Sequence, residues 1–340
     1  MKQNRIEWID VLKSLVMLLV VIGHAVPKDT PQTLGYYIYS FHMPLFFMIS
    51  GMTFYLQLSR REFEFTLLVK NKAKALLQPY LILSFMALPI WILNFKILST
   101  SEDKIINRII GIFYGNENAV SSPSNAMWFC LVLFMALIAF WAVNRWAEGN
   151  EKHLTLMVLI IALFGYTFSL DSVEFPLPWK AETVPMAMLF LLMGWLFIKY
   201  KESVTALLGG RVRQFVIAVI SLIVATCCAM FNVKISMALS TYGSFMMFMG
   251  AVIGYSLVCF IIAWNLPTLN IFKLIGRNTI VMLAFHAPIF RFLEMYSQTT
   301  AQFFADNPVI TAIGVYILLI PVCWIFERYL PFAIGKTKTR

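Results

Sequence analysis

The stretch WIDVLKSLVMLLVVIGH, residues 8–24, decides the fold class because residues 14–23 form an apolar run without a single charge. A helix needs roughly 20 mostly apolar residues to cross about 30 Å of hydrocarbon. Similar runs recur along the chain and predict spans at residues 8–26, 36–58, 75–95, 126–147, 153–170, 185–200, 213–231, 238–264, 277–293 and 308–328. The sequence therefore predicts an all-α polytopic integral membrane protein with about ten transmembrane helices.

The composition supports the membrane class. The 340 residues are 60% hydrophobic and 13% charged, whereas a soluble domain is about half apolar and a quarter charged. A signal peptide is a poorer interpretation of the first run, because Glu7, Asp10 and Lys13 flank it and nine further spans follow. The sequence has no internal repeat and no polar linker. We expect one membrane-embedded domain over residues 1–340, a multi-pass protein of the cytoplasmic (inner) membrane.

The basic residues predict the orientation of the chain in the lipid bilayer. The net charge of +10 does not indicate nucleic-acid binding, because the charges alternate between connections instead of clustering on one segment. Connections on the cytoplasmic side carry an excess of Lys and Arg. Both termini are therefore expected in the cytoplasm, with Lys2, Arg5, Arg60, Arg61, Lys70, Lys72, Lys74, Arg145, Lys152, Lys199, Lys201, Arg211, Arg213, Lys273, Arg277, Lys336, Lys338 and Arg340. The opposite connections hold only the scattered Lys28, Lys104, Arg108, Lys180 and Lys234.

The first helix contains three ionisable residues: Asp10, Lys13 and His24. Such groups are costly inside a span, so each is a candidate for function. Lys13 and His24 are 11 residues apart, which places them within roughly 20° of one face and about 16 Å apart in depth. Asp10 precedes Lys13 by three residues and can pair with it. The alternative for this pair is that Lys13 extends to the cytoplasmic headgroups without a role in chemistry.

Three of the four histidines are expected at a similar depth near the outer side. His24 ends the first span, His42 begins the second, and His286 lies in the outer half of the ninth, while His153 belongs to a cytoplasmic connection. A neutral imidazole can take a proton from an alcohol as that alcohol attacks a carbonyl. A metal site is the competing use of clustered histidines, but no Asp or Glu accompanies them at ligand spacing. We therefore expect no metal.

Five segments resemble the acyltransferase-3 superfamily of membrane O-acyltransferases. They are residues 8–13 leading to 20–24, residues 40–47 leading to 50–51, residues 72–80, residues 127–129, and residues 274–279 leading to 286–288. The opening looks most like the fucose 4-O-acetylase branch. Many family members have an arginine, ten intervening residues and a histidine; here Lys13 stands at the arginine position and keeps the charge without the guanidinium fork.

The resemblance implies transfer of an acetyl or other acyl group from cytoplasmic acyl-CoA, such as acetyl-CoA, to a hydroxyl of a cell-surface glycan or its lipid-linked precursor. His24 would be the catalytic residue, as general base or as transient acyl carrier, in a set with Lys13, Asp10 and His42. The cations predicted to bind the phosphates of CoA are Arg60, Arg61, Lys70, Lys72 and Lys74. The same cations also fit the excess of Lys and Arg that is expected on the cytoplasmic side of a membrane protein.

Two further residues are predicted to bind the substrate, and two other functions stay open. Trp128 can stack on a sugar, although tryptophan is also the usual anchor at the membrane interface. His286 is predicted to contact the bound acceptor. A transporter or flippase of a lipid-linked sugar would use the same intramembrane charges to line a pathway. A non-catalytic membrane scaffold would tolerate the loss of His24. The sequence gives no information on the oligomeric state.

Overall fold

The computed structural model describes residues 6–98, 105–117, 119–120, 122–123, 125–170, 176–296 and 298–336. Lys2, Arg5, Lys104, Lys338 and Arg340 of the charge pattern lie outside these ranges. The helices are α1 Glu7–Ala25, α2 Leu34–Tyr39, α3 His42–Leu58, α4 Phe65–Lys72, α5 Gln78–Leu98, α6 Ile105–Tyr114, α7 Trp128–Trp146, α8 Glu151–Leu170, α9 Val184–Lys199, α10 Lys201–Leu208, α11 Arg211–Met230, α12 Phe245–Asn265, α13 Asn270–Arg277, α14 Thr279–Tyr296, α15 Gln298–Asp306 and α16 Pro308–Tyr329. A π-helical turn, Ala73–Leu77, joins α4 to α5.

The all-α membrane prediction is confirmed. Within the described residues, eight helices are long and apolar enough to cross a membrane, and the other two predicted spans coincide with α3 and with the shorter apolar helix Thr279–Leu293. Exposed large apolar side chains cover the outer faces of α8 and α11, among them Phe164, Phe168, Phe215 and Ile223. These faces are suited to contact lipid, since the bilayer core solvates apolar side chains.

The second predicted span is interrupted. α2 ends at Tyr39 and α3 begins at His42, so residues 36–58 do not form the one continuous helix that the apolar run predicts. Pro44 explains the break, because proline has no N–H to donate and its ring clashes with the carbonyl four residues earlier. The break places His42 at the start of a helix, where its side chain can turn back toward Ile38.

The eighth span is shorter than predicted at its beginning. We expected a helix over residues 238–264, but α12 begins at Phe245. Ser240 and Gly243 adopt left-handed backbone conformations, with φ of 51° and 61°, and Ser236 and Thr241 form an isolated antiparallel bridge. These turns cannot continue a right-handed helix, so Met237–Leu239 forms part of an outer loop instead.

The tightest helix packing joins α3 to α9 through two reciprocal glycines. A Cβ on Gly51 would lie 2.0 Å from the backbone oxygen of Leu191, and a Cβ on Gly194 would lie 1.8 Å from that of Met48. Small residues allow membrane helices to approach closely and gain van der Waals contact. The two glycines therefore hold α3, and with it His42, at a fixed distance from α9.

The polar ends of the helices form contacts on two opposite faces of the bundle. On the first, which we call the basic face, ion pairs and hydrogen bonds join Lys273 to Glu7, Lys336 to Asn278 and Lys199 to Glu151. On the opposite face, contacts join Lys234 to Asp29, Tyr36 to Asn232 and Trp179 to Phe113. α1 runs between these faces in the centre of the bundle and packs against α13, α16, α12, α14 and α3.

Candidate active site

The structure brings three histidines together near the opposite face. The ring centroids of His24 and His286 are 4.8 Å apart, in an edge-to-face arrangement. Tyr39 links His24 to His42, with its ring centroid 5.9 Å from that of His24 and 4.9 Å from that of His42. These side chains come from α1, α2, α3 and α14, so the cluster depends on the packed bundle and on the break before His42.

Hydrogen bonds fix the protonated nitrogen in two of these rings. Nδ1 of His42 lies 2.7 Å from the carbonyl oxygen of Ile38, and Nδ1 of His286 lies 2.8 Å from that of Met282. A carbonyl oxygen only accepts, so each Nδ1 must carry the proton and, in the neutral ring, Nε2 is left as an acceptor. Nε2 of His286 is buried and has no hydrogen-bond partner among the described residues.

His24 faces an outer cavity of about 360 Å³. His24 is accessible to water, whereas His42 and His286 are 3% and 0% exposed. Beside apolar side chains, the lining of this cavity contains the polar and aromatic residues His24, His42, Lys28, Tyr39, Glu117, Asn125, Trp128, Lys234 and Arg291. His286 lies behind His24 and does not line this cavity. His24 is therefore the histidine of the three that is most open to a bound molecule.

Lys13 lines two further cavities on the side of the basic face. The inner cavity, of about 290 Å³, has mostly apolar walls with Lys13, Lys72, Arg277 and Gln57 among them. The second, of about 420 Å³, contains Asp10, Arg60 and Arg61 and opens at the basic face. We call this second cavity the mouth. Both share Lys13, Thr53 and Gln57, so they adjoin one another.

The three cavities form one series across the bundle. Met43 and Leu283 line both the inner cavity and the outer cavity that holds His24. Three neighbouring cavities therefore extend from Arg60 and Arg61 at the basic face to His24 near the opposite face, with Met43 and Leu283 in the walls of both the inner and the outer cavity. Lys13 and His24, predicted on one face of α1, both line cavities of this series.

The five predicted phosphate-binding cations occupy different positions. Arg60 and Arg61 line the mouth. The ammonium of Lys72 lines the inner cavity, donates to Gln57 Oε1 at 2.7 Å and lies 4.7 Å from the centre of the Phe54 ring. Lys70 and Lys74 are exposed and line none of these three cavities. The structure thus brings three of the five to the series of cavities.

The sequence from residue 6 to residue 328 matches a family model described as Acyl_transf_3, acyltransferase domain. The chain belongs to this acyltransferase family. No curated protein and no solved structure matches the chain. The family model covers α1 through nearly all of α16, so the histidine cluster and the cavities all belong to the acyltransferase domain. It does not distinguish branches of the family, and the likeness to fucose 4-O-acetylase stays a prediction.

Sequence reasoning missed Lys180, a buried lysine of the acyltransferase. Its side chain is 0% exposed, and its ammonium donates to Ala238 O at 2.7 Å and to Asn116 Oδ1 at 3.2 Å. It also lies 3.9 Å from Glu117 and 5.9 Å from the centre of the Trp128 ring. Trp128, Glu117 and Ala238 line the outer cavity. Lys180 therefore lies behind the wall of the outer cavity and contacts three separate segments of that wall.

The backbone at Lys180 is unusual for its residue types. Trp179 and Lys180 have φ of 60° and 55°, a left-handed conformation that costs roughly 1–3 kcal/mol at a non-glycine residue. The contacts of the buried ammonium offset that cost. In the sequence Lys180 was one of several scattered outer cations, and its local sequence did not distinguish it from the others.

Lys180→Met is expected to loosen the wall of the outer cavity, so that a substrate bound in this cavity binds more weakly and its KM rises. The substitution keeps much of the side-chain volume but leaves the Ala238 oxygen without its donor, at a cost of about 1–3 kcal/mol in folding stability. Thermal unfolding and steady-state kinetics with each substrate varied would measure both effects. Lys201→Met, on the basic face beside Trp264, is the matched control. An unchanged KM for both substrates in Lys180→Met would show that this residue does not organise the cavity wall.

Glu117 is the carboxylate among the residues that line the outer cavity. Burial raises the pKa of Glu117, and the nearby Lys180, Lys28 and Arg291 oppose that rise. Burial disfavours the charged carboxylate, while the cations favour it. Within the described residues, no group of three or more His, Cys, Asp and Glu side chains has an arrangement that could hold a metal ion.

Proposed function

We propose that this acyltransferase is a membrane O-acetyltransferase that uses cytoplasmic acetyl-CoA to acylate a hydroxyl of a cell-surface glycan or its lipid-linked precursor. One observation carries the proposal: three adjoining cavities, which share lining residues, extend from a basic mouth on one face to a histidine cluster near the other. A donor and an acceptor on opposite sides of a membrane need such a path to meet. The inner membrane is the proposed location.

The basic mouth suits the nucleotide end of CoA. Arg60 and Arg61 line it, and guanidinium groups bind phosphate oxygens through paired hydrogen bonds. Lys13 stands where the mouth joins the inner cavity, while the apolar walls beyond, including Met17, Phe46 and Leu133, suit the uncharged arm and the acyl group. Asp10 is buried beside this junction and lines the mouth; it supports the position of Lys13.

The outer cavity suits the acceptor. Its volume falls in the usual range for small-molecule sites, and Trp128 and Tyr39 offer aromatic surface to a sugar ring. His24 acts as general base. The acceptor hydroxyl oxygen attacks the acyl carbonyl carbon while its proton passes to His24. The C–S bond then breaks, and the CoA thiolate leaves and takes up that proton as a thiol.

The other two histidines position the base rather than react. His286 is buried against His24 with its Nε2 unprotonated in the neutral ring, so it can accept a hydrogen bond from a protonated His24. His42, held by Ile38, fixes the Tyr39 ring against His24. Both rings are buried, and a backbone carbonyl fixes the tautomer of each, which supports these roles.

Replacement of Lys13 tests the donor side of the proposal. We expect Lys13→Gln to raise the acetyl-CoA KM about tenfold or more, because it removes a charge at the junction of mouth and inner cavity. Lys13→Arg keeps the charge and should stay within about threefold of the parent. The assay is incorporation of labelled acetyl from acetyl-CoA into extractable glycan in permeabilised membranes, at matched protein levels. Lys70→Gln, an exposed lysine of the same face, is the control.

Two results would contradict the donor assignment. An unchanged acetyl-CoA KM in Lys13→Gln would remove Lys13 from the donor site. Absence of label from acetyl-CoA in the parent, combined with movement of a lipid-linked sugar across the membrane without any donor, would favour the transporter instead.

A further inference from the structure

Basic side chains from separate outer segments converge on the outer cavity. Lys28, Lys234 and Arg291 line it, and Lys180 lies directly behind its wall. These residues come from the connection after α1, the loop before α12 and the outer part of α14, far apart in sequence. Basic residues are sparse on the non-cytoplasmic face of membrane proteins, so their convergence at one cavity needs a local explanation.

Two of these cations, Lys28 and Lys234, are weakly compensated. The ammonium of Lys28 donates to Tyr39 Oη at 2.9 Å and lies 4.6 Å from the centre of that ring, so among the described residues it contacts a phenol rather than a carboxylate. Lys234 pairs with Asp29 at 2.5 Å, but the Asp29 side chain is 77% exposed. An exposed ion pair contributes little to stability, and an incoming anion can replace Asp29 at little cost.

The carboxylate among the residues that line the cavity does not cancel these charges. Glu117 is directed toward Lys180, with a separation of 3.9 Å, and its side chain is 24% exposed. Lys180 therefore takes up much of the negative charge of Glu117 from behind the wall. Lys28, Lys234 and Arg291 are left facing the cavity with an excess of positive charge.

We infer that the acceptor is anionic, with a carboxylate or phosphate next to the sugar that is acylated, and that Lys28 and Lys234 bind this group. The inference rests on the proposed function, whose acceptor site it specifies. Lys28 is hydrogen-bonded to Tyr39, whose ring contacts both His24 and His42. An anion held at Lys28 would thus bring a neighbouring hydroxyl to the histidine cluster. A cavity of about 360 Å³ accommodates one such sugar unit.

The test is equilibrium binding to the full-length protein in lipid nanodiscs, without acyl-CoA. The probes are glucuronic acid, glucose 1-phosphate and glucose, which share a ring and differ in charge. We expect one or both charged probes to bind at least about tenfold more tightly than glucose. Their relative affinities distinguish a carboxylate from a phosphate acceptor. Lys28→Met and Lys234→Met should each remove most of this preference, and Lys28→Arg should retain it. Lys199→Met, a lysine paired with Glu151 on the basic face, is the matched control.

Equal affinity for charged and neutral probes would overturn the inference, and so would a charge preference that survives in both Lys28→Met and Lys234→Met. Folding of each variant is checked by its thermal unfolding, so that a lost preference in an unfolded variant is not counted. Because no acyl donor is present, the binding result is separate from the proposed reaction. Charge-selective binding without acetyl transfer would contradict the proposed function and leave the anion site in place.

Discussion

His24→Ala is expected to lower kcat for acetyl transfer by about 10²- to 10⁴-fold, the contribution typical of a positioned general base. His24 is the most exposed of the three histidines and lines the outer cavity, whereas His286 is fully buried and does not line it. The acceptor KM should change little, since Lys28, Trp128 and Lys234 remain. The measurement is initial rate at saturating acetyl-CoA with matched amounts of membrane protein.

His153→Ala is the control for this variant. His153 is exposed at the start of α8, on the basic face, and its removal should leave kcat within the error of the assay. A His24→Ala enzyme with parental kcat would exclude His24 as the base and would direct attention to His42. Loss of activity in both variants would indicate a general effect of histidine replacement on the membrane protein.

Gly194→Ala is expected to be the most damaging single-methyl substitution in the bundle. The added Cβ would lie 1.8 Å from the Met48 backbone oxygen, and neither helix backbone can move away without separating α3 from α9. Overpacking of this kind typically costs about 1–3 kcal/mol and sometimes more. We expect a lower unfolding temperature in detergent and less protein in the membrane. Gly51→Ala, where the Cβ would lie 2.0 Å from Leu191 O, should behave similarly.

Gly314→Ala provides the comparison. Gly314 is also inside a long helix, α16, but a Cβ added there meets nothing within 4 Å. Alanine favours helix more than glycine by about 1 kcal/mol, so this variant should be as stable as the parent or more so. If Gly194→Ala and Gly314→Ala unfold at the same temperature, close packing of α3 on α9 does not contribute to stability.

The membrane architecture was predictable because apolar length alone identifies most spans. Eight described helices fit that criterion, whereas the orientation that the charge pattern predicts stays a prediction. The exceptions have local causes that apolar length does not register. Pro44 interrupts the second span, and the left-handed Ser240 and Gly243 delay the start of α12.

The site was predictable only in part. His24, His42 and His286 were expected at one depth, and the structure brings them within contact through Tyr39. Depth alone could not predict which ring faces the cavity, because that depends on packing between α1 and α14. Lys180 and Lys28 were overlooked for a related reason: single charges in separate loops acquire a common role only when the loops fold over one cavity. The adjoining cavities likewise depend on contacts between helices distant in sequence.

The most direct test of a transmembrane reaction is the sidedness of the transfer. The experiment uses sealed inside-out vesicles with the enzyme in their membrane and acceptor glycan in their lumen. Labelled acetyl-CoA is added only to the outside, which is the cytoplasmic face. We expect luminal glycan to become labelled in the parent and not in His24→Ala, with the donor excluded from the lumen. Two results would contradict a reaction at His24 with a donor that enters from the basic face. One is labelling that requires acetyl-CoA and acceptor on the same side of the membrane, and the other is equal labelling in His24→Ala.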